Sequence, residues 1–237
     1  MVREVVILAA GEGKRMRRNT SDHVLLTTPK PLLELNGKSI IERKIEKLIK
    51  SDFKIIIVVN NKDKGKFLEK LSKYNIVYCT QGDDKGTAAA LFAARDYITD
   101  DFFLVLMGDD LYDMDWDGLK DDNTPTVFGF EVTDVSNYGV LITDKYGYVN
   151  EILEKQRSGV GVANTGSYIM PKAFFDIYKD IPVDKNSGEK FLTHAVKVLG
   201  ERGFRFIERK LSFWFGINTP EQLREAETLI VKIKRLK

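Results

Sequence analysis

Apolar and polar residues change rhythm several times along this 237-residue chain. Val5–Ala10, Ile55–Val59, Ile76–Thr80 and Phe102–Met107 are short runs that are almost wholly apolar. Runs of that length without alternation predict strands buried on both faces. Between them the spacing turns helical. Across Ser39–Lys50, the residues Ile40, Ile41, Ile45, Leu48 and Ile49 fall on one face, and Ser39 with Glu42 forms a capping box. Lys66–Lys73 and the alanine-rich Thr87–Ile98 supply two more helices. This β-α-β-α-β-α-β order predicts a parallel sheet with helices on both faces.

The second half is less regular. Thr126–Val132, Gly139–Ile142, Tyr148–Leu153, Thr165–Met170 and Arg205–Glu208 read as strands, and Lys172–Lys179 and Glu189–Leu199 as helices. A last helix follows the cap Thr219, with Pro220 at its first position and Gln222 three after the cap. No linker composition separates the halves. The expectation is one domain sharing one sheet, with a first half (1–125), a second half (126–218) and a C-terminal helix (219–237).

Composition narrows the function classes. The formal charge is +2, so no basic field points to nucleic acid or an anionic membrane. No apolar run approaches the roughly 20 residues of a membrane span. The one cysteine, Cys79, excludes an internal disulfide, and the cytoplasm is the default compartment. Self-association is left open.

Candidate chemistry lies at strand ends, where ligands bind in parallel α/β sheets. The first strand opens into Ala9, Ala10, Gly11 and Gly13, followed by Lys14 and Arg15. Small residues leading into cations can bring backbone N–H groups against a phosphate. The loop is not a dinucleotide fingerprint, because Met16 stands where a third glycine belongs. Gly37-Lys38-Ser39 is not a phosphate-binding P-loop either, since Leu32 replaces the upstream glycine; it reads as a turn and a helix cap. Gln81 and Asp109 follow the third and fourth strands.

Leu8-Ala9-Ala10-Gly11-Glu12-Gly13-Lys14-Arg15-Met16, followed by Pro29-Lys30-Pro31-Leu32-Leu33, resembles the signature of sugar-1-phosphate nucleotidylyltransferases, the NDP-sugar pyrophosphorylases. The resemblance continues in order. Gln81 with Gly86-Thr87-Ala88 is similar to the base-reading segment, and Gly108-Asp109-Asp110-Leu111 to the metal-binding one. Tyr138-Gly139-Val140, Glu154-Lys155 and Asn164-Thr165-Gly166 look like the sugar and phosphate contacts.

The resemblance implies a three-layer α/β, nucleotide-diphospho-sugar transferase-like (Rossmann-like) fold with a mixed, mostly parallel sheet. It assigns Arg15, Lys30, Asp109 and Lys155 to catalysis. Leu8, Ala9, Ala10, Gly11, Gly13, Gln81, Gly86, Thr87 and Gly108 go to the nucleotide. Gly139, Glu154, Lys155, Asn164 and Thr165 go to the sugar phosphate. It also implies Mg²⁺ as cofactor, held by Asp109. In many relatives the second ligand is the aspartate of a W-x-D motif, but here Gly216 stands there. Gly216-Ile217-Asn218, with Gln222-Leu223 beyond, is similar to the segment of N-acetylglucosamine-1-phosphate uridylyltransferases whose asparagine binds metal, so that role passes to Asn218. The loop from Arg15 to Lys30 is longer than in typical relatives, and a single-domain form without a left-handed β-helix is expected.

Two other patterns lead elsewhere. Asp113-x-Asp115-x-Asp117-Gly118 begins like an EF-hand loop, but Thr124 holds its twelfth position, so a solvated acidic loop is expected. His23 and His194 are isolated and make no zinc site. The expected partners are a nucleoside triphosphate, UTP or dTTP, and a phosphorylated sugar, glucose 1-phosphate or N-acetylglucosamine 1-phosphate. The alternatives are a cytidylyltransferase acting on inositol or choline phosphate, and a non-catalytic regulatory subunit that binds nucleotide or sugar phosphate.

Overall fold

The computed structural model describes residues 1–18, 20–154 and 158–236, so Lys155 lies outside the described residues. The first strand, β1 (Glu4–Leu8), is buried along its whole length, as the apolar run Val5–Leu8 demands, with the Glu4 carboxylate paired to Lys54 at its start. A loop carries the chain to α1 (His23–Thr27), a short helix the sequence pattern did not show, capped by the Asp22 carboxylate accepting from Val24 N and Leu25 N. After a 3₁₀ turn at Lys30–Leu32, β2 (Glu34–Leu35) and β3 (Lys38–Ser39) form a hairpin. Its Asn36-Gly37 turn has positive φ at both residues (50° and 76°), as two-residue hairpins prefer. The helix α2 (Ile40–Lys50) follows at once, with the reciprocal Ser39–Glu42 capping box in place. Ile49, expected on its buried face, is 45% exposed; Lys44 takes a core position instead.

The strands β4 (Lys54–Val59) and β5 (Val77–Thr80) flank α3 (Lys64–Lys70), and α4 (Thr87–Phe92) leads to β6 (Phe102–Met107). The helix predicted to Ile98 stops at Phe92 and resumes as a 3₁₀ turn at Arg95–Tyr97. The strand β7 (Asp110–Asp113) follows, then β8 (Thr126–Val132), β9 (Gly139–Thr143), β10 (Val149–Glu154) and β11 (Gly161–Pro171). The helix predicted at Lys172–Lys179 is replaced by two 3₁₀ turns, Lys172–Phe174 and Tyr178–Asp180. Aromatic packing accounts for the change: Phe175 and Tyr178, three residues apart, both reach Phe92, with ring centroids at 6.5 and 3.9 Å. The chain ends with α5 (Leu192–Glu201), β12 (Ile207–Lys210, two residues later than expected), β13 (Phe213–Gly216) and α6 (Pro220–Leu236).

Nine strands form one mixed sheet in the order β10-β9-β11-β6-β1-β4-β5, with β8 pairing β11 and β12 off that path. The four strands of the first half are parallel, with β1 flanked by β4 and β6. The long β11 joins the halves, running antiparallel to β6 at Tyr168–Pro171 and to β8 along most of its length. One face of the sheet is covered by α4 and α5, the other by α2 and α3 with Trp116 and Trp214. A separate two-stranded sheet, β7 with β13, stands at the carboxyl end of β6. A third apolar cluster packs Met16 and Leu25 of the long loop against Ile217, Ala226 and Ile230.

Candidate functional site

Strands β1, β4, β5 and β6 end at a cleft of about 710 Å³. Leu8 through Gly13 and Arg15 form one wall, Gln81, Gly86 and Thr87 another, and Lys30, Asp109 and Asn218 close one end. Most of the residues assigned to nucleotide, metal and catalysis from the sequence thus share one cavity. Among the described residues Gly108 is the exception: it lies behind the wall, its N–H donating to Leu8 O at 2.9 Å. An added Cβ there would meet Leu8 O, Pro31 Cγ and Ala9 Cβ at 2.9–3.2 Å, so glycine is required for close backbone packing.

At the closed end, the Lys30 ammonium forms an ion pair with Asp109 Oδ2 and donates to Asn218 Oδ1 at 3.3 Å. The Asp109 and Asn218 oxygens therefore converge on a single cation. This donor set fits Mg²⁺, which takes one or two protein oxygens and fills its shell from phosphates and water. No cluster of three or more His, Cys, Asp or Glu side chains suited to a metal occurs among the described residues. The convergence follows from the sheet pairing: β7 opens one residue after Asp109, β13 ends two before Asn218, and Asp110 pairs with Gly216.

Beneath this end lies a buried polar group that the sequence reading missed. Asp110 is 7% exposed and its Oδ2 accepts from Trp214 Nε1 at 2.9 Å and from Tyr112 OH at 3.4 Å. The Lys44 ammonium, from α2, donates to the Asp110 carbonyl. Burial first, then the adjacent Asp109 charge, pushes the Asp110 carboxyl up; burial pulls the Lys44 ammonium down. Lys44 was visible in the sequence as a lysine at helical spacing from Ile40, Ile41 and Leu48.

At the other end, Gln81 Nε2 donates to Asp84 O at 2.8 Å and to Gly86 O at 3.4 Å. Two carbonyl partners fix the orientation of the amide and leave Oε1 as its acceptor toward a ligand. Asn60, also just past a strand, lines the cleft and donates to Ala10 O at 3.2 Å, pinning the glycine loop. Its position past β4 was the available signal. Ser187 and Glu189, from the loop before α5, line the cleft as well, and no motif pointed to them.

The sugar-side set lies outside this cleft, on neighbouring strands. Gly139 and Glu154 are register partners on β9 and β10. Asn164 donates to Tyr168 OH at 2.9 Å and accepts from Gly166 N, while the buried Thr165 hydroxyl donates to Phe128 O at 2.8 Å. A Cβ on Gly166 would lie 2.9 Å from Cγ of the cleft-lining Met107, so this bend reaches the cleft edge. The acidic loop is a local turn, with Asp115 Oδ1 accepting from Gly118 N.

A glycine loop, the Arg15 cation and a Lys30–Asp109 ion pair in one cleft equip it to bind and shift phosphoryl-type groups by positioning and charge. The chain belongs to the nucleotidyl transferase family, whose model matches residues 4–232. The bifunctional protein GlmU of Methanococcus aeolicus is 32% identical over 97% of this chain, which spans 54% of that protein. The UTP–glucose-1-phosphate uridylyltransferase AglF of Haloferax volcanii is 30% identical, over 94% of this chain and 95% of its own length. The chain is thus about half the length of the GlmU relative and close to that of AglF. Among solved structures, HddC from Yersinia pseudotuberculosis has a TM-score of 0.74 at 26% identity, covering 97% of this chain and 100% of its own, and is also known complexed with GMP-PN. A putative glucose-1-phosphate thymidylyltransferase from Bacillus anthracis shares the fold, with a TM-score of 0.78 at 24% identity over 95% of this chain and 94% of its own. No helix among the described residues is long and apolar enough to cross a membrane.

Proposed function

We propose that the protein transfers a nucleotidyl group from a nucleoside triphosphate to a sugar 1-phosphate, releasing pyrophosphate. The observation that carries this is the closed end of the cleft, where Lys30, Asp109 and Asn218 converge opposite the Gln81–Gly86 base loop. The glycine loop and Arg15 hold the triphosphate between these ends. The attacking group is a phosphate oxygen, already anionic, so the chemistry needs alignment and charge stabilisation rather than a general base. Lys30 and Arg15 meet the charge that builds on the departing pyrophosphate. Asp109 and Asn218 would hold Mg²⁺, which when bound supplies charge neutralisation on the phosphates. Glu154, Gly139, Asn164, Thr165 and, by resemblance, Lys155 serve the sugar-phosphate side.

The fixed Gln81 amide bears on the base. An acceptor matches the N3–H of uracil or thymine, whereas cytosine presents an acceptor at that atom. This supports UTP or dTTP over the cytidylyl alternative. AglF supports UTP with glucose 1-phosphate as the first pair to try. The N1–H of guanine also meets an acceptor, and HddC is known with GMP-PN, so GTP belongs in the test.

The experiment is pyrophosphate release from five nucleotides against glucose 1-phosphate, N-acetylglucosamine 1-phosphate, inositol phosphate and choline phosphate, with Mg²⁺ present. A signal with UTP or dTTP and a sugar 1-phosphate is expected, reduced roughly a hundredfold or more in Asp109→Ala. A signal with CTP and an alcohol phosphate alone, or none at all, would overturn the assignment.

A further inference from the structure

We propose that Asp110, Trp214 and Lys44 form a buried brace that sets the mutual position of Asp109 and Asn218, making them positioning residues for the cation end of the cleft. The inference rests on the function proposed above and deepens it. Asp109 and Asn218 are 109 positions apart and sit on separate chain segments, yet their oxygens meet at one ammonium. Something must hold the two segments in register, and the contacts around Asp110 do so at three points. Its backbone pairs with Gly216, two residues before Asn218. Its carboxylate accepts from Trp214 Nε1 at 2.9 Å, tying the side chains of the same two strands together. Its carbonyl accepts from Lys44, which reaches in from α2.

The brace extends to the end of β6. Tyr112 OH donates to Asp110 Oδ2 and accepts from the N–H of Met107, a residue that lines the cleft. There is no slack at the crossing: a Cβ on Gly216 would lie 3.3 Å from Trp214 Cζ2 and 3.4 Å from both Asn218 Nδ2 and Asp110 Oδ1.

The chemistry of the brace argues for position over packing. Lys44 is 3% exposed and Asp110 7% exposed, while Lys44 lies 5.4 Å from the centroid of the Tyr112 ring. An apolar pair of similar volume would fill this space at lower desolvation cost. What an apolar pair could not do is direct a carboxylate at Trp214 and a cation at the turn carrying Asp109. The Lys44 charge also faces Asp109 and Asp110 together, offsetting the repulsion of adjacent carboxylates. Groups placed behind metal ligands in this way typically alter metal affinity or activity 10- to 100-fold when replaced.

The test is Mn²⁺ binding, followed by the loss of the free-ion electron paramagnetic resonance signal, alongside the Mg²⁺ concentration that gives half-maximal rate. Trp214→Phe keeps an aromatic side chain and removes the donor together with one of the two fused rings; Asp110→Asn keeps the shape and removes the charge. Each is expected to weaken Mn²⁺ binding about tenfold and to raise the Mg²⁺ requirement in parallel. Lys44→Met is expected to lower the melting temperature, because Asp110 is left buried without its cation. Adding Asp110→Asn to Lys44→Met should restore the melting temperature but not the Mn²⁺ affinity, a split that a purely structural role would not give. Mn²⁺ uptake that is abolished in Asp109→Ala but unchanged in Trp214→Phe and Asp110→Asn would overturn the brace alone. Uptake by the wild type that Asp109→Ala leaves unaltered would overturn the brace together with the metal assignment beneath it.

Discussion

Gly86→Ala tests how the Gln81 end of the cleft, the proposed base site, is built. Gly86 has φ 100° and ψ 173°, a region that side-chain-bearing residues avoid at a cost of about 1–3 kcal/mol. An added Cβ would lie 2.3, 2.8 and 2.9 Å from the O, N and C atoms of Lys190, all backbone. No rotamer change relieves that contact; one of the two segments must move. Movement breaks the bonds that join them, Lys190 N to Lys85 O and Ala88 N to Lys190 O, both 2.9 Å. Two such bonds are worth about 1 kcal/mol each, so the total cost is about 3–5 kcal/mol. In a domain of this size that lowers the melting temperature by about 10 °C. The same shift displaces Gly86 O, one of the two carbonyls that orient Gln81, so KM for the nucleotide should rise about tenfold, the equivalent of 1.4 kcal/mol. Gly200→Ala makes the identical chemical change in α5, where nothing lies within 4 Å, and should be neutral or slightly stabilising. Calorimetry and steady-state kinetics decide the matter. A Gly86→Ala protein that melts within 2 °C of wild type with an unchanged KM would refute the steric argument.

Gln81→Glu replaces an amide donor with an anion facing the Asp84 and Gly86 carbonyls, and nucleotide KM should rise at least tenfold while the chain stays folded. Calorimetric titration with UTP and GTP checks this, and unaltered binding would sink the assigned amide orientation. Glu4 sets an acid limit on stability. Burial pushes its carboxyl up, but the Lys54 ammonium and donors from Asp100 and Thr99 outweigh burial and bring it below 4.5. Its contribution is therefore complete above pH 4.5 and lost as pH falls through the lowered value. Glu4→Gln should flatten the acid limb of a melting-temperature profile and cost about 1–3 kcal/mol at neutral pH. Cys79 is 4% exposed, and burial pushes its thiol up to about 11. It should resist Ellman's reagent at pH 8 in the native protein and react fully in guanidinium; prompt native reaction would contradict its placement.

The parallel half of the sheet was legible because its strands are mostly apolar runs, buried from both sides in β1 and in most of β4 and β6, while the edge strand β5 is only half-buried. The capping box of α2 was legible for a local reason as well: both partners lie within one turn. Pairings between distant short segments left no such trace. The strands β7 and β13 are four residues each and meet across about 100 positions, so Asp110 read as part of a loop motif rather than as a strand residue under Trp214. The 3₁₀ turns after β11 were hidden because Ala173 to Tyr178 has helical spacing, and only the Phe92 contacts decide between helical forms. Resemblance located residues without stating their bonds. It placed Thr165 with the sugar contacts, where its hydroxyl proves to be engaged with Phe128 O.

The long loop after the glycine turn gains a physical purpose from the small apolar cluster beside α6. Met16 is 2% exposed and directly follows Arg15; Ile217 is 0% exposed and directly precedes Asn218. Both belong to the cluster that also takes in Leu25, Ala226 and Ile230. One patch of core therefore anchors the residues next to Arg15 and Asn218, the cation and the amide proposed to hold phosphate and metal. The same rule holds at Lys30, where Pro31 is buried beside it and packs close to Gly108. Burying a side chain such as Met or Ile contributes about 1.5–3 kcal/mol. That matches or exceeds the freedom gained when one neighbouring backbone unit loosens, about 1–2 kcal/mol. Each of these functional groups can thus remain exposed to substrate while its backbone is held by the residue beside it. A loop of this length would otherwise leave Arg15 too mobile for the phosphate contact proposed for it. By docking Leu25 and Met16 on α6, the chain ties the entrance of the cleft to the same helix whose first turn follows Asn218.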